Sequence, residues 1–189
     1  MSKRPLSASE LAEARLVFAD GLDYTRVRVA EASPFPNFIA DIGAFFQGKK
    51  RTWDNAVTLG DTSYFPRQLR TSPADLAAGL TDMAWLIHEL THQWQFQTAG
   101  WRYLSEALHV QLTLGPAGYD YAGKAGSPRE ALRAASQVQR RFLDFNREQQ
   151  GDIARDYYVA RKRGEDVAAW QPFVDDLRKL GRPSTAGRA

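Results

Sequence analysis

Two of the chain's three histidines stand four apart in residues 85–95, WLIHELTHQWQ, with a glutamate directly after the first. In an α-helix, positions four apart differ by about 40° around the axis and one turn along it, so His88 and His92 share a face and can hold one ion. This is the HExxH arrangement. Glu89, one step round, is placed to take a proton from a metal-bound water without being a ligand itself. Two His and one Glu at these offsets arise by chance in about one chain in a hundred or fewer of this length. Leu86, Ile87, Leu90 and Trp94 give the helix an apolar face, with His88, Thr91, His92 and Gln95 on another side. A packing helix with two hydrogen-bonded imidazoles is the competing reading, and the spacing favours zinc. The constraint on the fold follows: this segment must be helical, and another part of the chain must bring a third donor to its polar side.

That donor cannot be a thiolate, because the chain has no cysteine; any metal site is built from His, Asp and Glu. With 189 residues, 43% apolar, the chain suits one domain, which we place over residues 1–180, with 181–189 as a disordered tail. No apolar run approaches the roughly 18 residues of a membrane span, and MSKRPLSASE is followed by no apolar segment. The expected location is the cytoplasm, with export by a route that reads no N-terminal signal left open. The net charge of +3 comes from basic and acidic residues interspersed along the chain, so neither nucleic acid nor membrane is expected as a partner.

Ser7 and Glu10 have capping-box spacing ahead of a helix over about 11–18 that ends near Gly21. Residues 24–29 alternate as a strand, and 56–59 and 62–65, separated by Gly60-Asp61, read as two short strands or a hairpin with a tight turn. Ser72-Pro73 opens a helical half. The motif helix is expected over about 80–97, closed by Gly100, and a second helix over 102–112. Further helices are expected from Ser127-Pro128 to about Phe142, from the Asn146 cap through 148–161, and over about 166–180 with Pro172 kinking or breaking the last.

A catalytic zinc site takes three protein ligands and leaves a fourth position open. The candidates for the third are Glu106, His109, Glu148 and Asp152. Glu106 and His109 follow the turn at Gly100, but they belong to the polar side of a helix with a leucine stripe, where a solvated face is the ordinary reading. Glu148 and Asp152 lie four apart on one helical face, so Glu148 can bind zinc while Asp152 accepts the free imidazole N–H of a ligand histidine; an ordinary acidic helix N-terminus is the competing reading. Gly151 between them weakens the helix, which makes sense if this helix must approach the motif helix closely. Tyr119, Tyr121, Tyr157, Tyr158 and His109 are the visible candidates for stabilising an oxyanion, and none is singled out.

The Glu148–Asp152 pair after HExxH resembles the gluzincin arrangement of thermolysin-like metallopeptidases, at a longer interval from His92. More closely, five stretches resemble a bacterial family of Vgr-related metallopeptidase domains found beside Rhs, VgrG and other contractile-injection components. They are residues 6–29, LSASELAEARLVFADGLDYTRVRV; 55–65, NAVTLGDTSYF; 86–97, LIHELTHQWQFQ; 118–121, GYDY; and 144–158, DFNREQQGDIARDYY. The resemblance implies an α+β, mostly helical zincin-like domain with a small antiparallel strand region before the HExxH helix. It favours Glu148 as third ligand, and it implies that residues 55–65 include a strand beside the cleft to which an extended peptide could add. The expected function is amide hydrolysis of a peptide or protein by a zinc-activated water, linked to a contractile injection or secretion system. The alternative is a catalytically silent zinc-containing accessory module of such a system. The helical HExxH context selects zinc over iron(II), which the same ligand types also suit.

Overall fold

The computed structural model describes residues 2–34, 56–100, 121–122 and 126–181. The fold is α+β and mostly helical, with one three-stranded sheet. Its elements are α1 (Ala8–Phe18), β1 (Arg28–Ala30), β2 (Val57–Leu59), β3 (Thr62–Tyr64), α2 (Pro73–Ala78), α3 (Thr81–Ala99), α4 (Pro128–Gln137), α5 (Arg147–Lys162) and α6 (Gln171–Leu180). A 3-10 turn, Phe142–Asp144, precedes α5.

Helix starts follow local chemistry. Ser7 with Glu10, Ser72 with Asp75, and Asn146 with Gln149 each form a reciprocal cap, and Ser127 accepts from the Glu130 N–H. Each satisfies backbone donors that the first turn leaves unpaired. Pro73, Pro128 and Pro172 all stand in a first turn, where the missing N–H costs nothing. Pro172 therefore starts α6 instead of kinking a longer helix, and the chain before it turns through residues 168–170. The helix from Pro128 also stops earlier than expected, because Gln139 takes a left-handed φ of 58°.

The strand expected over 24–29 is confined to Arg28–Ala30. Asp23 explains why: its carboxylate accepts from both the backbone N–H and the hydroxyl of Thr25, while its carbonyl accepts from the Arg26 N–H, winding residues 23–26 into a turn. β2 and β3 form the expected antiparallel hairpin, with Gly60 at φ 60° in the two-residue turn. The strand region is not purely antiparallel, however. β1 pairs with β3 in parallel, in the order β1-β3-β2. Pairing direction depends on the path of the chain between β1 and β2, and no local pattern encodes that path.

α3 runs through the middle. Every residue from Asp82 to Gln95 is buried except Trp85, which is partly so, and the helix is thus enclosed on all sides. It packs chiefly on α5, and on its other flanks against α1 and the β2–β3 hairpin. The core joins Leu86, Ile87, Leu90 and Trp94 of α3 to Phe18, Phe65, Ile153, Tyr157 and Phe173. Among the described residues no helix is long and apolar enough to cross a membrane. The expected helix over 102–112, with Glu106 and His109, lies outside the described residues, as do Tyr119 and the 182–189 part of the expected tail.

Three arginine–carboxylate pairs brace this core. Arg4 reaches the fully buried Glu10, Arg67 grips Asp82 at 2.6 and 2.7 Å, and Arg141 grips Asp176 at 2.7 Å with both nitrogens. Burial would raise the Glu10 carboxyl, but Arg4, the Ser7 N–H and the Thr71 hydroxyl hold it below the usual range. Hydrogen bonds from Arg67 and Arg141 hold Asp82 and Asp176 low in the same way. A folded-state pKa depressed in this manner gives stability that is full above the unfolded pKa and is lost as pH falls through the folded one. The contribution of these three pairs to Tm is therefore expected to be flat from about pH 7 to 5 and to fall steeply below about pH 4. Thermal melts across that range check it, and Glu10→Gln should flatten the acid limb.

Candidate metal centre

α3 presents two polar edges, and each meets a different part of the fold. His88, His92 and Gln95 face α5, while Glu89 and Gln93 face the hairpin. The five residues singled out in the sequence, His88, Glu89, His92, Glu148 and Asp152, are brought together. His88 Nε2 lies 3.1 Å from His92 Nε2 and 3.2 Å from Glu148 Oε2, and His92 Nε2 lies 3.6 Å from the same oxygen. Ligating atoms of His88, Glu89 and His92 all lie within 4.8 Å of one another.

Neighbouring groups decide which ring nitrogens face inward. Asp152 Oδ1 lies 3.0 Å from His88 Nδ1 and, as a carboxylate, can only accept, so Nδ1 carries the proton. Gln95 Nε2 donates to the Arg147 carbonyl and to Gln150 Oε1, both at 2.9 Å, which leaves Oε1 to accept from His92 Nδ1 at 2.9 Å. Both imidazoles therefore turn Nε2, an acceptor in the neutral ring, towards the Glu148 carboxylate. Three acceptors so close repel one another unless a cation or added protons lie between them, and this donor set fits a divalent metal.

The electrostatics agree. Burial would lower the pKa of His88, but hydrogen bonds to Asp152 and Glu148 outweigh it and hold the ring at about 10. His92 is raised as well, burial being overcome by the charge of Glu148. Glu148, which burial alone would raise, is held far below the usual carboxylate range by the two histidines. These shifts mark a point where positive charge is favoured.

Close approach of the two helices makes the geometry possible. A Cβ on Gly151 would lie 2.7 Å from His88 Cε1 and 2.8 Å from Nδ1, so no side chain fits between α5 and the ring. Asp152 is in turn held by Arg155, which also reaches Asp156 at 2.9 Å. Two parts of the site went unread in the sequence. Gln95 stands three residues after His92, a spacing that hints at contact, while Thr58, whose hydroxyl lies 2.7 Å from Glu89 Oε2, gives no local sign.

Of the tyrosines considered for an oxyanion, the three among the described residues have other partners. Tyr121 donates to Asp156 at 2.6 Å, Tyr157 is fully buried with its hydroxyl 3.3 Å from Gln171, and Tyr158 donates to Glu13 at 2.9 Å.

Over 177 residues, 94% of the chain, the sequence is 30% identical to part of the type VI secretion system spike protein VgrG2b of Pseudomonas aeruginosa. This chain is similar to one segment of a VgrG spike protein. It spans only 15% of that protein's length. The likeness agrees with the Vgr-related character read from the sequence, and the match takes in nearly all of the chain. No family profile matches the chain, and no solved structure gives a significant match.

Proposed function

We propose that this domain is a zinc-dependent peptidase in which His88, His92 and Glu148 bind the metal and Glu89 is the general base. The observation that carries the reading is the convergence of two imidazole Nε2 atoms and one carboxylate oxygen within 3.1 to 3.6 Å, with a second buried carboxylate beside them. Zinc in such a set supplies Lewis acidity and lowers the pKa of a water towards about 7. The chain's own residues do the rest. Asp152 and Gln95 hold the two rings in one tautomer each, so that neither must reorganise. Glu89 Oε2 is engaged by Thr58, which leaves Oε1 as the oxygen that takes a proton from the nucleophile and passes it to the leaving amine.

The likeness to a spike protein supports a place for this activity with a type VI secretion system, acting on a peptide or protein. A second reading is favoured by the same likeness: a catalytically silent zinc-containing module that serves the spike as an accessory or binding part.

Metal content per chain, measured by mass spectrometry, tests the site. The parent is expected to hold about one zinc, Glu148→Ala to lose it, and Glu106→Ala to keep it. A parent without zinc, after zinc is supplied and the excess removed, would return α3 to the role of a packing helix. Turnover of an internally quenched peptide pool then separates peptidase from silent module.

A further inference from the structure

Behind the Thr58 contact to Glu89 lie two more buried side chains, Ser63 and Gln93, that the reaction as described does not use. Gln93, one helical turn after Glu89, points to the same flank of α3. Its Nε2 donates to Ser63 Oγ at 2.7 Å and to the Arg28 carbonyl at 3.1 Å. Thr58 and Ser63 are register partners across the β2–β3 hairpin, so their side chains stand on one face, with their oxygens 2.8 Å apart. Thr58 Oγ1 is 2.7 Å from Glu89 Oε2 and 3.4 Å from the Glu89 carbonyl.

The chemistry of the ends fixes every proton in between. An amide nitrogen only donates, so Ser63 Oγ accepts from Gln93 and sends its own proton to Thr58. A carboxylate only accepts, so Thr58 sends its proton to Glu89. We infer that Thr58 is a positioning residue for Glu89, with Ser63 and Gln93 behind it as one directional hydrogen-bond relay; this rests on the peptidase reading above.

Two features speak against ordinary packing as the reason for these residues. Thr58 is the β2 residue turned towards α3, where a valine would fill the same space. Gln93 is fully buried, and its Oε1 has no hydrogen-bond partner among the described residues. Such an orphan is unfavourable, and an apolar residue would avoid it. The fold keeps the amide because its nitrogen orients the relay. The effect on Glu89 is to pin one oxygen and the plane of the carboxylate, leaving the other oxygen aimed for proton transfer.

The test uses the full zinc-loaded chain and an internally quenched peptide pool. Thr58→Val is expected to lower kcat about 10- to 100-fold, with KM changed less than about threefold and the zinc content unaltered. Thr58→Ser restores most of the rate, which a filling role for the methyl group would not predict. Ser63→Ala gives a smaller loss, and the double variant Thr58→Val with Ser63→Ala is no slower than Thr58→Val alone, because Ser63 acts only through Thr58. NMR of the parent should show a slowly exchanging Thr58 hydroxyl proton close to the Glu89 side chain, a readout that needs no turnover. Unchanged kcat in Thr58→Val, failure of serine to restore it, or additive losses in the double variant overturns the relay. A parent that keeps the hydroxyl signal but cleaves nothing defeats the peptidase reading itself, and the catalytic purpose of the relay with it. The parent's own rate distinguishes the two failures.

Discussion

Glu89→Gln is expected to keep one zinc per chain and to lower peptide hydrolysis about 10²- to 10⁴-fold, the range over which a positioned general base acts. The substitution is nearly isosteric, and its amide still accepts from the Thr58 hydroxyl that lies 2.7 Å from Glu89 Oε2. The flank of α3 against the hairpin therefore stays packed. What disappears is the basic oxygen. Since His88, His92 and Glu148 are untouched, metal content measured beside kcat separates loss of the base from loss of the site. Hydrolysis at the parent rate in this variant would remove Glu89 from the mechanism, leaving the proposed ligands in place and requiring another base.

Gly151→Ala is expected to lower zinc affinity by about 100-fold or more, at the upper end of what disturbing a ligand's support costs. By helix propensity alone the change should stabilise α5 by about 1 kcal/mol. The added methyl, however, would meet His88 Cε1 at 2.7 Å, Nδ1 at 2.8 Å and Nε2 at 3.0 Å. Relief comes only by moving the ring, which breaks its 3.0 Å contact with Asp152 and its 3.2 Å contact with Glu148, or by parting the two helices. Overpacking of this kind costs about 1–3 kcal/mol, so the net effect on stability is negative despite the propensity gain. Zinc titration and a thermal melt read the two effects separately. A raised Tm with parent affinity would mean that α3 and α5 are not held as closely as this geometry requires.

The residues that were legible in the sequence are those whose meaning is local. Caps at Ser7, Ser72, Ser127 and Asn146 depend on the next three residues, and all four open helices. The spacing of His88 with His92, and of Glu148 with Asp152, follows from helical periodicity, and a glycine at 151 inside a helix is itself a sign of a close helix contact. The parallel pairing of β1 was not legible, because strand direction is settled by the route of the intervening chain. Nor were the roles of Thr58 and Gln95. A threonine in a strand and a glutamine in a helix become site residues only through what tertiary packing sets opposite them, here Glu89 and His92.

His88 and Glu148 are 60 positions apart in the chain, on helices that must dock before their side chains can meet. Contacts that distant close late, since the loop entropy has to be overcome before the contact contributes anything. If the proposed reading holds, a site laid out in this way is incomplete in a nascent or partly folded chain. α3 alone carries His88, Glu89 and His92 but no Glu148, so the cluster is completed only when α5 docks. The fold thereby sets when the candidate site first exists, as well as where.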